Sequence, residues 1–233
     1  MLLGHYGLAF AAKRAMPRTS LGTLIFAAQL LDELWPVLLL VGVEEVRVVP
    51  GLMKTNPLDF VRYPISHSLL MAVVWGAIIG GVHYAARRER RTALLLAALV
   101  VSHWFLDLPM HRPDLPLWPG RSPLLGLGLW NSVAATLALE LGIFGGGLAL
   151  YLGRTQARDR TGYWSLWSMV ALLLLIFLGG FISAPPPNAR AVAIVTLGLW
   201  LFVPWAAWAD RHGEVAAGTR LDSPERESLP GQR

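Results

Sequence analysis

The segment Thr92–Met110, TALLLAALVVSHWFLDLPM, decides the fold. Every residue from Ala93 to Val101 is apolar, so a helix here is apolar on all faces and suits lipid or the centre of a bundle rather than a water-facing surface. With its flanks it reaches the roughly 20 residues needed to cross a bilayer. Its second half nevertheless carries His103 and Asp107. An ionisable group inside a span costs several kcal/mol unless paired or hydrated, so the segment reads as a membrane helix that also carries chemistry.

Working outward, five further stretches have the same character: Leu21–Val43, Ile65–Ala85, Leu129–Leu152, Trp164–Ile182 and Ala191–Ala209. The composition agrees. Of 233 residues, 55% are hydrophobic and only 15% charged, against about a quarter charged in soluble domains. This excludes an ordinary cytosolic enzyme, and the apolar content excludes a disordered chain. With no Cys, disulfides, thiolate metal sites and cysteine nucleophiles are excluded as well. The expected architecture is an all-α polytopic bundle of about six spans plus a short N-terminal helix. A single membrane domain is expected over 1–209, with the motif-bearing part in 1–120 and a disordered tail over 210–233.

Lys and Arg test this layout. The N-terminal segment, the second and fourth connections and the tail together hold fourteen, and the alternate connections hold six. By the positive-inside rule both termini are expected in the cytoplasm. The run Arg87–Arg91 reads as a topology determinant, so the net charge of +5 does not argue for nucleic acid. The bilayer is the expected partner, and the oligomeric state is left open. MLLGHYGLAFAAKR is apolar but too short to span. Ala9-Phe10-Ala11 loosely resembles a signal-peptidase site, but no basic region precedes it, so a short helix dipping into the bundle is expected. Gly76/Gly80 and Gly142/Gly146 are small-xxx-small pairs explained by helix packing.

Ionisable residues within the apolar stretches fall in the first four spans: Asp32 and Glu33, His67, His103 and Asp107, and Glu140, with His111 just beyond the third. His103 and Asp107 are four apart and share a helix face. His111 continues the stripe, although Pro109 is expected to end or kink the helix first. His67 and Asp107 both fall in the outer half of the bilayer. Asp32 lies about 16 Å along its helix, and His5 lies about 12 Å before Lys13, so the N-terminal segment can bring His5 to the same depth. Asp32 and Glu33 point in different directions, so one of them faces the site.

Three or four histidines with one or two aspartates form a nitrogen and oxygen donor set suited to zinc, manganese or iron, zinc foremost. His67, His103 and Asp107 are the expected ligands, completed by His5 or His111, and Asp32 is a ligand or a base. Glu140 is open between a substrate-facing base, a second ligand and a buried partner for Arg121 or a histidine. His83 and His212 lie at the cytoplasmic side and are set aside. Tyr6, Trp104 and Trp118 read as packing or interfacial aromatics.

In order, Gly4-His5, Leu30-Leu31-Asp32, Ser66-His67-Ser68-Leu69-Leu70, Ser102-His103-x-x-x-Asp107 and Leu117-Trp118-Pro119 resemble the YdjM-type family of bacterial inner-membrane proteins, described as membrane-bound metal-dependent hydrolases. These strings lie within residues 1–120. The resemblance implies inner-membrane location and hydrolysis. It also implies that His5, Asp32, His67, His103 and Asp107 form the metal and catalytic set. The chain departs from the family pattern at Asp32-Glu33-Leu34-Trp35, where members carry Asp-x-Asp-His, and at Tyr63-Pro64, where they carry His-Arg. The apolar setting favours a lipid-like ester or phosphoester. An ion-coupled transporter using Asp32, His103 and Glu140, and a non-catalytic membrane scaffold, are the rival readings.

Overall fold

The computed structural model describes residues 1–215 and is an all-α membrane bundle. A short helix, α1 (Leu3–Ala15), precedes six spans. These are α2 (Leu21–Leu40), α4 (Leu69–Arg87), α5 (Arg90–Met110), α6 (Val133–Leu152), α7 (Arg160–Gly179) and a composite last span, Ala189–Arg211. That last span consists of α8 (Ala189–Leu197), a 3-10 turn and α9 (Phe202–Arg211). A one-turn helix, α3 (Pro64–His67), stands before α4. The small strands lie in the connections and just after the last span. β1 (Glu45–Val48) pairs antiparallel with β2 (Leu58–Arg62), β3 (Leu115–Pro116) with β4 (Leu124–Leu125), and β5 (Thr155–Ala157) with β6 (Gly213–Val215).

Side-chain caps set the span boundaries. Ser68 accepts from Met71 N–H, Ser132 from Ala135 N–H, Asp159 from Gly162 N–H and Asn188 from Ala191 N–H, each satisfying a donor with no partner inside its helix. The second and fourth spans therefore begin at Leu69 and Val133, later than hydropathy suggests. Ser68 is extended (φ −79°, ψ 146°), which separates His67 from the span it was expected to open. The helix α5 runs through Pro109 to Met110, and His111 N–H still bonds Asp107 O at 3.0 Å. Pro109 thus does not remove His111 from the stripe, because a proline in the last turn forfeits one donor without breaking the helix behind it.

The chain continues in regular structure beyond residue 209. Helix α9 ends at Arg211 and β6 follows, while the expected tail at 216–233 lies outside the described residues. This end is tied to the α1–α2 turn. Buried Lys13 donates to the Asp210 carboxylate and to Thr19 O, and Leu21 N–H reaches the same carboxylate. Exposed Asp159 bonds His212 Nδ1 at 2.8 Å, which holds its carboxyl below the ordinary range. His83, 3.7 Å from Glu89, also lies at this end, next to the Arg87–Arg91 run.

Helix α1 enters the bundle rather than lying on it. Leu3, His5, Tyr6, Ala9 and Phe10 are fully buried, and Met1 lies in the interior at the far end from Lys13. Close approach of α1 to α6 depends on Gly7 and Gly147: a Cβ on Gly147 would lie 1.8 Å from Gly7 O, and one on Gly7 would lie 2.5 Å from Ile143 O. Gly76 and Gly80 do the same for α4, where a Cβ would meet Ala97 O and Ala93 O at 2.7 Å. The pair Gly142/Gly146, expected to pack, faces open space, because α1 covers the neighbouring stripe of α6.

Gly147→Leu should therefore lower stability by more than the roughly 1–3 kcal/mol of ordinary overpacking, since the obstacle is backbone that cannot rotate away. Gly146→Leu should be near neutral. Thermal unfolding of both variants in detergent checks this, and equal losses would refute the α1–α6 contact.

Candidate metal centre

The site lies at the end of the bundle remote from the Arg87–Arg91 connection. Asp107 is its centre, 1% exposed and in the last turns of α5. Four imidazoles approach it through Nε2. His5 Nε2 is 3.1 Å from Oδ1, while His103, His67 and His111 Nε2 lie 3.2, 3.8 and 3.9 Å from Oδ2. Asp32 Oδ1 is 3.4 Å from His67 Nε2 and 3.7 Å from His103 Nε2. The fold thus draws together His5 from α1, Asp32 from α2, His67 from α3, and His103 and Asp107 from α5. His111 stands at the margin of the cluster. Of the neighbours Asp32 and Glu33, Asp32 faces the site.

The two oxygens of Asp107 have different company. Oδ1 faces His5 and the Met1 ammonium, which pairs with it directly. Oδ2 faces His67, His103 and His111. The His5 ring stacks on His103 at 3.6 Å between centroids, which packs α1 against α5 at this level.

What orients the imidazoles lies behind them. His103 Nδ1 is 2.8 Å from Ala28 O, and a carbonyl only accepts, so Nδ1 carries the proton. Ser66 Oγ donates to Glu44 Oε2 at 2.6 Å and lies 2.7 Å from His67 Nδ1. The hydroxyl has one proton, given to Glu44, so His67 Nδ1–H donates to Ser66. His111 Nδ1 is 2.9 Å from Asp114 Oδ1, and Tyr63 Oη donates to the same oxygen at 3.0 Å. Three histidines are thereby held as Nδ1–H tautomers whose Nε2 lone pairs point inward. His103 Nε2 is fully buried with no hydrogen-bond partner. Nitrogen lone pairs converging on a carboxylate form a donor set that could hold a cation.

Outside the spans, burial lowers the pKa of His111, although Asp114 pulls the other way. Burial raises the pKa of Tyr63, and the Asp114 charge adds to the rise. Both shifts favour the uncharged form, the neutral imidazole of His111 and the neutral hydroxyl of Tyr63.

Glu140 is a buried partner of neither Arg121 nor a histidine. Its two oxygens accept Leu2 N–H at 2.9 Å and Gly4 N–H at 2.8 Å, satisfying the first turn of α1. Glu140 also lines the cavity that Asp32, His67 and Asp107 line. Trp104 is buried with Nε1 on Pro116 O, Tyr6 is buried, and Trp118 is exposed with Nε1 on Arg121 O.

A cavity of about 200 Å³ opens beside the cluster, bounded by Asp32, His67, Asp107, Trp35, Trp130 and Thr136 among others. The hairpin β1–β2 places Phe60 against it, 4.8 Å from His111, 5.2 Å from Tyr63 and 5.5 Å from Trp35 between centroids. Sequence reasoning missed Glu44, Tyr63 and Asp114 as supports and treated Ser66 only as part of a string. Asp114 carried a signal, standing three residues after His111. Glu44 carried none, since a loop glutamate looks the same whether buried or solvated.

Glu44, 3% exposed, accepts from Ile65 N–H, Ser66 N–H and Ser66 Oγ. Glu44→Ala should cost about 2–4 kcal/mol by stranding these buried donors, and Ser66→Ala about 1 kcal/mol. Denaturant unfolding in detergent measures both. A Glu44→Ala loss no larger than that of Ser66→Ala would refute the role assigned to Glu44.

The model of the YdjM inner membrane protein family matches residues 2–185. No curated protein and no solved structure matches the chain. The family match runs beyond residue 120, taking in α6 and α7 along with the segments that supply the cluster. With most of its length matched, the chain belongs to the YdjM inner membrane protein family.

Proposed function

We propose that this inner-membrane protein is a metal-dependent hydrolase whose ion is held on the Oδ2 side of Asp107. The observation that carries the proposal is the set of inward lone pairs, with Nδ1 of His67, His103 and His111 fixed from behind. Such outer partners are the usual companions of metal-ligating histidines.

The spacing supports the same reading. Tetrahedral zinc with bonds of about 2.0–2.1 Å to nitrogen and oxygen has ligand–ligand edges of about 3.3–3.4 Å. Among His67 Nε2, His103 Nε2, Asp32 Oδ1 and Asp107 Oδ2, the four measured separations are 3.4, 3.7, 3.8 and 3.2 Å. His67, His103 and Asp107 are therefore the donor set, with Asp32 beside the fourth position, which is left for water. His5 belongs to the opposite oxygen, where the Met1 ammonium already supplies a cation. The triplets His5–His103–Asp107 and Asp32–His67–His103 overlap at His103. With Nδ1 committed to Ala28 O, His103 has one lone pair and cannot serve both, which favours one ion.

A divalent ion bound here supplies a Lewis acid and lowers the pKa of water towards neutrality. The chain's own groups do the rest. Asp32, one-fifth exposed and lining the cavity, is placed to take a proton from water there. Trp35 lines the same cavity with an unpartnered Nε1–H, a donor for negative charge developing on a substrate oxygen. Phe60 and Trp130 narrow the access of bulk water. The site lies at the end with fewer Lys and Arg, which by the positive-inside rule is the periplasmic side.

Metal analysis of detergent-purified protein should find about one zinc, manganese or iron per chain, as a single site with three protein ligands and a water position requires. The His103→Ala/Asp107→Ala double variant should hold almost none. Asp32→Asn should keep at least part of the metal while hydrolysis of a chromogenic phosphoester falls by about 10²-fold or more, as for loss of a general base. Equal, near-zero metal in wild type and double variant would overturn the proposal.

A further inference from the structure

A second hollow adjoins the site. It measures about 990 Å³ and lies between the β1–β2 connection, the C-terminal end of α7 and the start of the last span. Thr55, Asn56, Gly180 and Phe181 line both this groove and the polar cavity, so the two meet at one doorway. Beyond the doorway the walls are largely apolar: Leu52, Met53, Leu175, Ile176, Pro186 and Val195. Leu175 and Val195 are 67% and 74% exposed, on spans that hydrocarbon surrounds, so the groove opens sideways into the bilayer. Among the described residues, Lys54 is the one charged residue in its lining.

We propose that the groove holds the acyl chain of a bilayer phospholipid and that Lys54 draws its phosphate headgroup towards the doorway. This rests on the hydrolase reading and gives it a substrate class, a phosphate-bearing lipid entering from the membrane. A volume of this size is ample for a ligand. An apolar groove ending at a cluster of carboxylates and imidazoles fits a molecule with one hydrocarbon end and one ionic end. A water-soluble substrate would leave the apolar part without purpose. The single cation at the mouth favours an anionic headgroup over a neutral one.

The test is photo-crosslinking in nanodiscs of phosphatidylcholine containing a small fraction of phosphatidic acid with a diazirine in its acyl chain, with adducts mapped by mass spectrometry. Adducts should concentrate at 51–58 and 175–186, and this should hold for the His103→Ala/Asp107→Ala variant too. Failure of the metal reading is thereby separated from failure of the groove. Val195→Trp, which fills the groove, should reduce these adducts about tenfold, equivalent to about 1.4 kcal/mol. Val82→Trp, on the exposed face of α4, should not. Lys54→Gln should reduce the preference for phosphatidic acid over a phosphatidylcholine probe by about two- to fivefold, the scale of an exposed ion pair. Adducts spread evenly over exposed α4 and α6, or unchanged by Val195→Trp, would overturn the groove. An unchanged headgroup preference in Lys54→Gln would overturn the assignment of Lys54.

Discussion

A carboxylate buried in a membrane bundle must be compensated, and the arrangement around Asp107 follows from that requirement. Its two oxygens are supplied from opposite directions. The Met1 ammonium and His5 arrive from α1, while His103, His67 and His111 arrive from α5 and the connections beside it. With Nδ1 of His67, His103 and His111 bonded from behind, each ring presents Nε2 to Oδ2. That half of the site is a nitrogen and oxygen donor set that could hold a cation. The same protons that fix the tautomers fix the ring orientations, so binding chemistry and structural support are one network.

This requirement explains why α1 is inserted. A helix of 13 residues cannot cross a bilayer, and its buried side chains must be matched by protein. Gly7 against Gly147 lets the two backbones come close, and Glu140 closes the first turn of α1. The resulting depth sets His5 on His103 and the ammonium on Asp107. Glu140 thus serves the centre at one remove, by holding the helix that completes it. At the opposite end, Lys13 on Asp210 fixes where α1 stops.

The small elements at the site end have a comparable role. Glu45–Val48 and Leu58–Arg62 alternate in burial weakly and read as connection, yet as a hairpin they carry Phe60 beneath His111 and Trp35. Asp114 and Tyr63 meet at one histidine from separate connections. The contacts of Phe60 and Tyr63 with His111 pair residues distant in the chain, with no periodicity to announce them.

Hydropathy is a local property, and so the spans, the helical class and the list of ionisable residues inside the apolar stretches were legible in the sequence. The four-residue spacing placed His103 and Asp107 on one face, because helical geometry guarantees it. An ordered series of short strings pointed to the family. Span starts were less legible, since they turn on whether Ser68 and Ser132 cap. The tertiary structure alone decided that Gly147, not Gly142 or Gly146, meets α1, because all three are equally small and only the position of a partner distinguishes them. It also decided that Glu140 binds backbone and that His5 and His67 stand on different oxygens of Asp107. A single sequence records which groups are costly to bury. Which of them answer one another depends on the crossing of helices, where a shift of one residue rotates a side chain by about 100° away from its partner.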